Sequence, residues 1–387
     1  MSRRNGRPWC RNCEVGAQEW MIDGMNQRQE DQVSSGKKSS PDRVFDGKRV
    51  LITGGTGSLG QTLLHRLLSG DAGQPSSIVV FSRDEEKQHH LRIKYQDAKE
   101  ISFWIGDIRD YAAVSACLRN VDIVFNAAAL KQVPTCEYFP QEAILTNLAG
   151  PDNIIRAIRD LQLPVETVVA ISTDKAVKPV NVMGMTKALQ ERLFATASLH
   201  ARETRFVVVR YGNVLVSRGS VIPLFNDQIR SGGPVTITHP DMTRFLLGLD
   251  DAVDTIIAAV REARTAETYI PRIRSARVAD IATALIDGRP IKTKITGIRP
   301  GEKLHEILVS EEECRRTFAR AKYFVVRSIL PELNGPDMNE PSLDREFNSA
   351  EHLMTLDEVH KMMSAANLIV PHHGQGHRGK LSGEPIR

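Results

Sequence analysis

Lys48 to Gly70 reads KRVLITGGTGSLGQTLLHRLLSG, and its reading decides the fold. Arg49 to Thr53 is a short β-branched and apolar run, the composition of a buried strand. Leu59, Leu63, Leu64, Leu67 and Leu68 then recur at helical spacing, and Gly70 stands where a helix C-cap belongs. Between strand and helix lie Gly54, Gly57 and Gly60. Residues without Cβ let backbone N–H groups approach a pyrophosphate, and the helix N-terminus adds partial positive charge at the same place. A glycine triplet alone is weak evidence, but its place between a strand and a helix points to a nucleotide-binding βα unit.

Further along, apolar runs alternate with helical patterns. Strands are expected at Ser77 to Phe81, Ile101 to Ile105, Asp122 to Ala127, Glu166 to Ser172 and Phe206 to Arg210. Helical segments are expected over 84–95, 110–118, 142–160 and 185–199. Such alternation predicts an α/β fold with a doubly wound parallel sheet covered on both faces. Ligands bind such sheets at the carboxyl ends of the strands, so the residues that follow the strands are the candidates.

Composition narrows the function classes. The 387 residues suffice for a large core and one or two domains, and 41% hydrophobic with 25% charged residues fits a soluble globular protein. A net charge of +4 is small for this length and does not argue for nucleic acid, and no concentrated basic stripe appears within the core. No apolar run reaches the roughly 20 residues of a membrane span, and the N-terminus lacks a signal peptide's apolar core, so a cytoplasmic protein is expected. Five scattered cysteines make no disulfide framework. Cys10 and Cys13 form a lone CxxC without the second pair of ligands a structural zinc would need. Residues 1–44 read as a flexible N-terminal tail and 366–387 as a C-terminal one, the latter carrying His372, His373 and His377. No metal site is expected.

After the second strand come Ser82, Arg83 and, one turn on, Lys87. A hydroxyl with two cations suits a ribose 2′-phosphate, so NADP is expected; Asp84, Glu85 and Glu86 among them keep NAD open as the less favoured dinucleotide. Asp107 and Ile108 follow the third strand and suit an adenine edge. Ala127, Ala128 and Ala129 follow the fourth and are small enough for close cofactor approach. The fifth strand ends in Ser172-Thr173-Asp174-Lys175, and Met183-Gly184-Met185-Thr186-Lys187 opens the next helix with Met183 and Lys187 on one face.

Taken together these stretches resemble the extended short-chain dehydrogenase/reductases. More narrowly the chain looks like the C5-inverting UDP-N-acetylglucosamine 4,6-dehydratases of bacterial surface-polysaccharide biosynthesis. The stretches that carry the resemblance are ITGGTGSLG, FSRDEEKQ, GDIRDY, AAALKQVPTCEYFPQEA, STDKAVKPVNVMGMTKA, RYGNVLVSRGSVIPLF, DMTRF, RPGEKLHE and FNSAEHLMTLDEV, over roughly residues 45 to 365. The resemblance implies a Rossmann domain over 45–213 and a smaller α/β nucleotide-sugar lobe over 214–365, interleaved with it. It implies that hydride leaves sugar C4, water is lost across C5–C6, and the hydride returns to C6, leaving a 4-keto-6-deoxy sugar and regenerated cofactor.

The residue roles implied are as follows. Thr173 bonds the C4 oxygen, Asp174 protonates the departing C6 hydroxyl, and Lys175 is the C5 base where retaining dehydratases carry glutamate. A lysine base must be neutral, so its pKa is expected to be depressed by burial and by Lys131, Lys187 and the oxidised nicotinamide. Lys187 holds the nicotinamide ribose. Met183 stands where the superfamily has its Tyr-x-x-x-Lys tyrosine; a thioether takes no proton, which leaves the C4 base open among Lys175, Lys131 and a water relayed through Thr173, with Lys175 favoured. Gly54, Thr56, Gly57, Ser58, Leu59, Gly60, Asn147, Tyr211, Asn213 and Val214 complete the cofactor set. Lys131, Asn213, Ser220, Val221, Pro223, Arg244, Arg299 and Glu302 face the sugar nucleotide, Arg299 at the diphosphate. A homo-oligomer, dimer or hexamer, is the family expectation. Alternatives are a UDP-N-acetylglucosamine 4-epimerase and a non-catalytic dinucleotide sensor.

Overall fold

The computed structural model describes residues 42–371, except residue 218 and residues 336–339. Most of the N-terminal tail with its CxxC, and the histidines of the C-terminal tail, lie outside the described residues.

The sheet is built from β1 (Arg49–Thr53), β2 (Ser77–Ser82), β3 (Ile101–Ile105), β4 (Ile123–Asn126), β5 (Thr167–Thr173) and β6 (Arg205–Tyr211). These six strands pair in parallel in the spatial order β3-β2-β1-β4-β5-β6. The order reverses between β1 and β4, which opens a crevice above their carboxyl ends. Helices α1 (Ser58–Ser69), α2 (Glu85–Lys94) and α3 (Tyr111–Cys117) connect the first four strands. The stretch after β4 folds as α4 (Val133–Tyr138), α5 (Pro140–Ile144), a π-helical turn at Leu145–Ala149, and α6 (Gly150–Asp160). The single helix expected over 142–160 is therefore broken. Pro151 has no N–H to continue the ladder, and the wider turn just before it absorbs the loss. Helix α7 (Val182–His200) starts three residues before the expected 185, because Asn181 caps it by accepting from the Gly184 N–H at 2.8 Å.

After β6 the chain builds a smaller lobe and twice returns to the sheet. The lobe holds β7 (Asn213–Val214), α8 (Val221–Arg230), β8 (Val235–Ile237) and β9 (Thr243–Leu247). Helix α9 (Leu249–Glu262) then packs on α1, and β10 (Thr268–Pro271) extends the main sheet in parallel beside β6. The lobe resumes with β11 (Ser275–Arg277), α10 (Val278–Ile286), β12 (Thr293–Ile295) and β13 (Ile307–Val309). The short α11 (Glu311–Cys314) leads to the hairpin β14 (Thr317–Arg320) and β15 (Tyr323–Val326), which closes the sheet antiparallel to β10. Last come β16 (Phe347–Asn348) and α12 (Leu356–Ala365), the latter against α10. Three sheet strands, β10, β14 and β15, of four residues each, stand beyond the six expected from sequence.

Two apolar layers sandwich the sheet. Leu63, Leu64 and Leu67 of α1 and Val253, Ile256 and Val260 of α9 cover one face. Ile154, Ile155 and Ile158 of α6 with Phe194 of α7 cover the other. A separate cluster under the lobe joins Ile222 and Phe225 of α8 to Ile281 and Leu285 of α10 and Val359 and Met363 of α12. The two-layer burial is why the strands carry continuous apolar runs rather than alternating ones.

Candidate active site

A cleft of about 1010 Å³ runs along the carboxyl ends of the strands and under the smaller lobe. At one end lies the glycine turn. Gly54 has φ +66°, a backbone shape that disfavours side chains, and a Cβ there would sit 2.8 Å from the Ala128 backbone. A Cβ on Gly60 would sit 2.6 Å from Gly55 Cα, so glycine is what lets α1 meet β1 this closely. Gly57 caps α1 without a side-chain hydrogen bond, leaving the first N–H groups of the helix facing the cleft. Thr56, Ser58 and Leu59 line the same wall, as do Ala127, Ala128 and Ala129 opposite. These features fit a dinucleotide pyrophosphate: unblocked donors, a helix N-terminus, and walls that any larger residue would fill.

At the mouth of this end, Ser82, Arg83 and Lys87 all line the cleft. Both cations have acidic partners. Lys87 pairs with Asp84, the cap of α2, and Arg83 lies 3.4 Å from Asp107 Oδ2. Asp107 is not part of the cleft lining. Burial pushes its pKa up, but hydrogen bonds from Arg109 and the charge of Arg83 outweigh that and hold it below the ordinary carboxylate range. Ile108, its neighbour, does line the cleft. Asn147 does not. The π turn points its amide at the loop after β4: it accepts from Leu130 N–H at 2.8 Å and donates to the Leu130 carbonyl at 2.9 Å and to Thr186 Oγ1 at 3.1 Å. Asn147 thus braces the alanine loop from beneath.

The chemically dense part is the end of β5. Thr173 Oγ1 donates to Asp174 Oδ1 at 2.8 Å, and Lys175 Nζ donates to that same oxygen at 3.0 Å. Asp174 is fully buried, and its Oδ2 has no hydrogen-bond partner among the described residues. It is absent from the cleft lining, whereas Thr173 and Lys175 are part of it. Lys175 Nζ also lies 3.5 Å from Asn213 Oδ1 and 3.4 Å from Glu306 Oε1. Burial is the largest influence on Lys175 and pushes its pKa down, but Asp174 and Glu306 outweigh burial and the Arg244 charge and hold it above the ordinary lysine value. This corrects the expectation of a depressed pKa. Two carboxylates, only one of them evident from sequence, face the amine, while the cations expected to lower it do other things.

Lys187 is one of those cations. Its Nζ is buried, donating to the Ile171 carbonyl at 2.8 Å and to Gln190 Oε1 at 3.0 Å. Burial pushes its pKa down to about 8, with Glu191 pulling weakly the other way. Lys131 is exposed on the cleft rim. Met183 is buried against Cys136 and Ala143, with Leu130 and Val133 beside them, and forms an apolar wall of the cleft. Tyr211 lines the cleft too, but burial raises its phenol pKa, so it is no substitute for a tyrosinate at position 183.

Val214, Ser220, Val221, Pro223, Arg244, Arg299 and Glu302 all line the lobe side. Ser220 Oγ is buried without a hydrogen-bond partner among the described residues, and Arg299 N–H donates to Glu302 Oε2 at 3.3 Å, closing their loop on itself. Asn181 ties that loop to α7 by donating to the Gly301 carbonyl at 2.7 Å. Sequence reasoning missed Glu306 and Lys303. Both lie in the RPGEKLHE stretch, but nothing in their spacing says that β13 carries them to the end of β5.

The profile of the family described as "Polysaccharide biosynthesis protein" matches residues 50–328. The chain belongs to that family. It is 44% identical over 342 residues to a protein named UDP-glucose 4-epimerase from Rickettsia canadensis, covering 84% of this chain and 98% of that one. Among solved structures, Pen from Bacillus thuringiensis superposes with a TM-score of 0.78 at 35% identity, covering 84% of this chain and 99% of the other. DesIV from Streptomyces venezuelae, a dTDP-glucose 4,6-dehydratase solved with NAD, superposes with a TM-score of 0.59 at 20% identity over 66% of this chain and 86% of its own, a likeness of fold. The architecture is that of the extended short-chain dehydrogenase/reductases, a Rossmann-type parallel sheet with a smaller lobe over its carboxyl edge.

Proposed function

We propose that this member of the family is a nucleotide-sugar 4,6-dehydratase that acts on UDP-N-acetylglucosamine with NADP and inverts C5. The observation that carries the reading is the Thr173–Asp174–Lys175 cluster: a hydroxyl, a buried carboxyl and an amine joined through one oxygen at 2.8 and 3.0 Å. An epimerase needs only proton traffic at C4, so a carboxyl and amine coupled this way would be idle in it. A 4,6-dehydratase needs both.

When bound, the dinucleotide supplies the redox chemistry, taking hydride from C4 and giving it back at C6. The chain's own residues move protons. Thr173 accepts a hydrogen bond from the C4 hydroxyl and passes a proton to Asp174 Oδ1. Asp174, now a carboxylic acid, gives that proton back through Thr173 Oγ1, which lines the cleft as Asp174 itself does not, to the C6 oxygen, which leaves as water. Lys175 takes the C5 proton as a free amine and releases it to solvent, while a proton from water reaches C5 on the opposite face of the ring, which is what inverts that centre. The reactive form, with Asp174 ionised and Lys175 a free amine, is restored at the end of each cycle. Met183 needs no proton of its own in this scheme; it keeps water from the C4 side. Since Lys175 is held charged in the unliganded protein, activity rises with pH as the amine loses its proton. Arg83 and Lys87 at the mouth favour a 2′-phosphate, each able to trade its acidic partner for it.

The second reading is a UDP-sugar 4-epimerase, favoured by the name of the Rickettsia relative. Incubation with UDP-N-acetylglucosamine and proton NMR of the product separates the two. A new methyl doublet at C6 with loss of the C6 hydroxyl supports the dehydratase. A C4 epimer with its C6 hydroxyl intact removes it.

A further inference from the structure

Glu306 stands just before β13, and its place is fixed by backbone bonds. Its N–H donates to Ser349 Oγ at 2.9 Å, and its carbonyl accepts from the Ser349 N–H at 2.8 Å. The side chain is buried, 3% exposed, yet borders the cleft. Oε1 faces Lys175 Nζ at 3.4 Å and Arg244 Nε at 3.8 Å, and Oε2 lies 3.9 Å from Lys303 Nζ with no hydrogen bond among the described residues. Arg244 and Lys303 are each committed elsewhere. Arg244 Nη1 donates to the Thr243 carbonyl at 2.7 Å, and Lys303 Nζ to the Val177 carbonyl at 2.6 Å. A carboxylate so buried, with one oxygen unsatisfied, is costly to the fold unless it serves something.

The charged groups facing Lys175 come from three segments. Asp174 is on its own turn, Arg244 is on β9, and Glu306 and Lys303 precede β13. Asn213 adds a neutral acceptor. His305 turns its ring to Thr243 Oγ1 at 2.9 Å, and Lys187 is engaged with Ile171 and Gln190.

We propose that Glu306 is the counter-carboxylate of Lys175, a positioning residue that draws the amine toward the lobe and sets the pH at which it becomes a free base. The proposal rests on the dehydratase reading for its use in turnover. Asp174 contacts Lys175 from the sheet side, and Glu306 reaches it from the lobe. When Asp174 takes a proton during the reaction, Glu306 remains to hold the amine in place. Without it, neither of the two carboxylates paired with Lys175 would remain charged at the step in which the amine must be aimed at C5.

The test is a titration of Lys175 in protein labelled with ¹³Cε-lysine, its signal assigned by disappearance in Lys175→Arg. It needs neither substrate nor turnover, so it stands apart from the dehydratase assay. In the wild type the signal titrates with a midpoint above the ordinary lysine value. In Glu306→Gln its midpoint falls by roughly one pH unit or more. Glu306→Asp keeps a buried charge but withdraws it, and gives a smaller fall; it also serves if the glutamine variant does not fold. The acidic limb of kcat/KM against pH moves down in step, whereas a packing role would lower the rate equally at every pH. A Lys175 midpoint unchanged in the folded variants overturns the inference. A wild type that titrates as described but makes no 6-deoxy product instead overturns the functional reading and leaves the coupling intact.

Discussion

At the scale of single residues, the site separates its two lysines by what surrounds them. Lys175 faces two carboxylates and is held charged; Lys187 has no carboxylate in contact among the described residues and is pushed down to about 8 by burial. The consequence for stability has a definite sign. Below about pH 8 the folded protein carries a buried ammonium at Lys187, which is unfavourable, and between about 8 and the ordinary lysine value of 10.5 the unfolded chain binds the extra proton. Stability from this residue therefore rises with pH across that window. Urea unfolding of the wild type and Lys187→Met, compared from pH 7 to 10, should show the wild type gaining on the variant as pH rises; a constant difference would mean that Lys187 is not perturbed. The residue types of this cluster were legible in sequence because they follow β5 in a contiguous run. The electrostatics were not, since Glu306 is remote in the chain and reverses the expected direction at Lys175.

At the scale of elements, α7 and the turn after β5 are fitted to each other with no slack. A Cβ on Gly184 would lie 2.2 Å from the Lys175 carbonyl oxygen, and Asn181, one turn away, caps the same helix. Gly184→Ala should push that turn outward. We expect a loss of about 1–3 kcal/mol in urea unfolding and, because a displacement near 1 Å is felt at the reacting centre, a loss of roughly a hundredfold in kcat/KM. Full activity in Gly184→Ala would show that the position of Lys175 is not set by α7. The long elements were readable from period and capping: β1, α1 and the strands of the parallel sheet came out within a residue or two. The break at Leu145–Ala149 was not, because a π turn leaves no mark in apolar spacing; Pro151 was its one visible sign.

At the scale of the whole molecule, the sheet and the late C-terminal elements are joined by a buried ionic network. Arg210 of β6 donates to Glu191 of α7 at 2.6 Å and to Glu313 of α11 at 2.8 Å, and Glu191 also accepts from Ser172 Oγ at 2.5 Å. Burial pushes the Glu313 pKa up, but Arg210 and the Ser310 N–H overcome it and bring it down to about 2. Its contribution is present above the ordinary value of 4.5 and is lost as pH falls from there towards 2. Glu313→Gln should cost about 3–5 kcal/mol at neutral pH and flatten the acid limb of the stability curve; an acid limb like the wild type's would place the acid sensitivity elsewhere. That α11 joins β6 and α7 at one arginine was invisible in sequence, where Glu313 lies 103 residues beyond Arg210 and the arginine and both glutamates are of the kind usually found in solvent. The same long-range closure brings Glu306 to Lys175, and it bears on the central claim that Asp174 and Lys175 remove water across C5–C6. The most direct measurement is turnover of UDP-N-acetylglucosamine in D₂O with the product read by NMR. Deuterium at C5 together with a new C6 methyl group is the predicted result. A C5 that keeps its proton while only C4 changes configuration would contradict it.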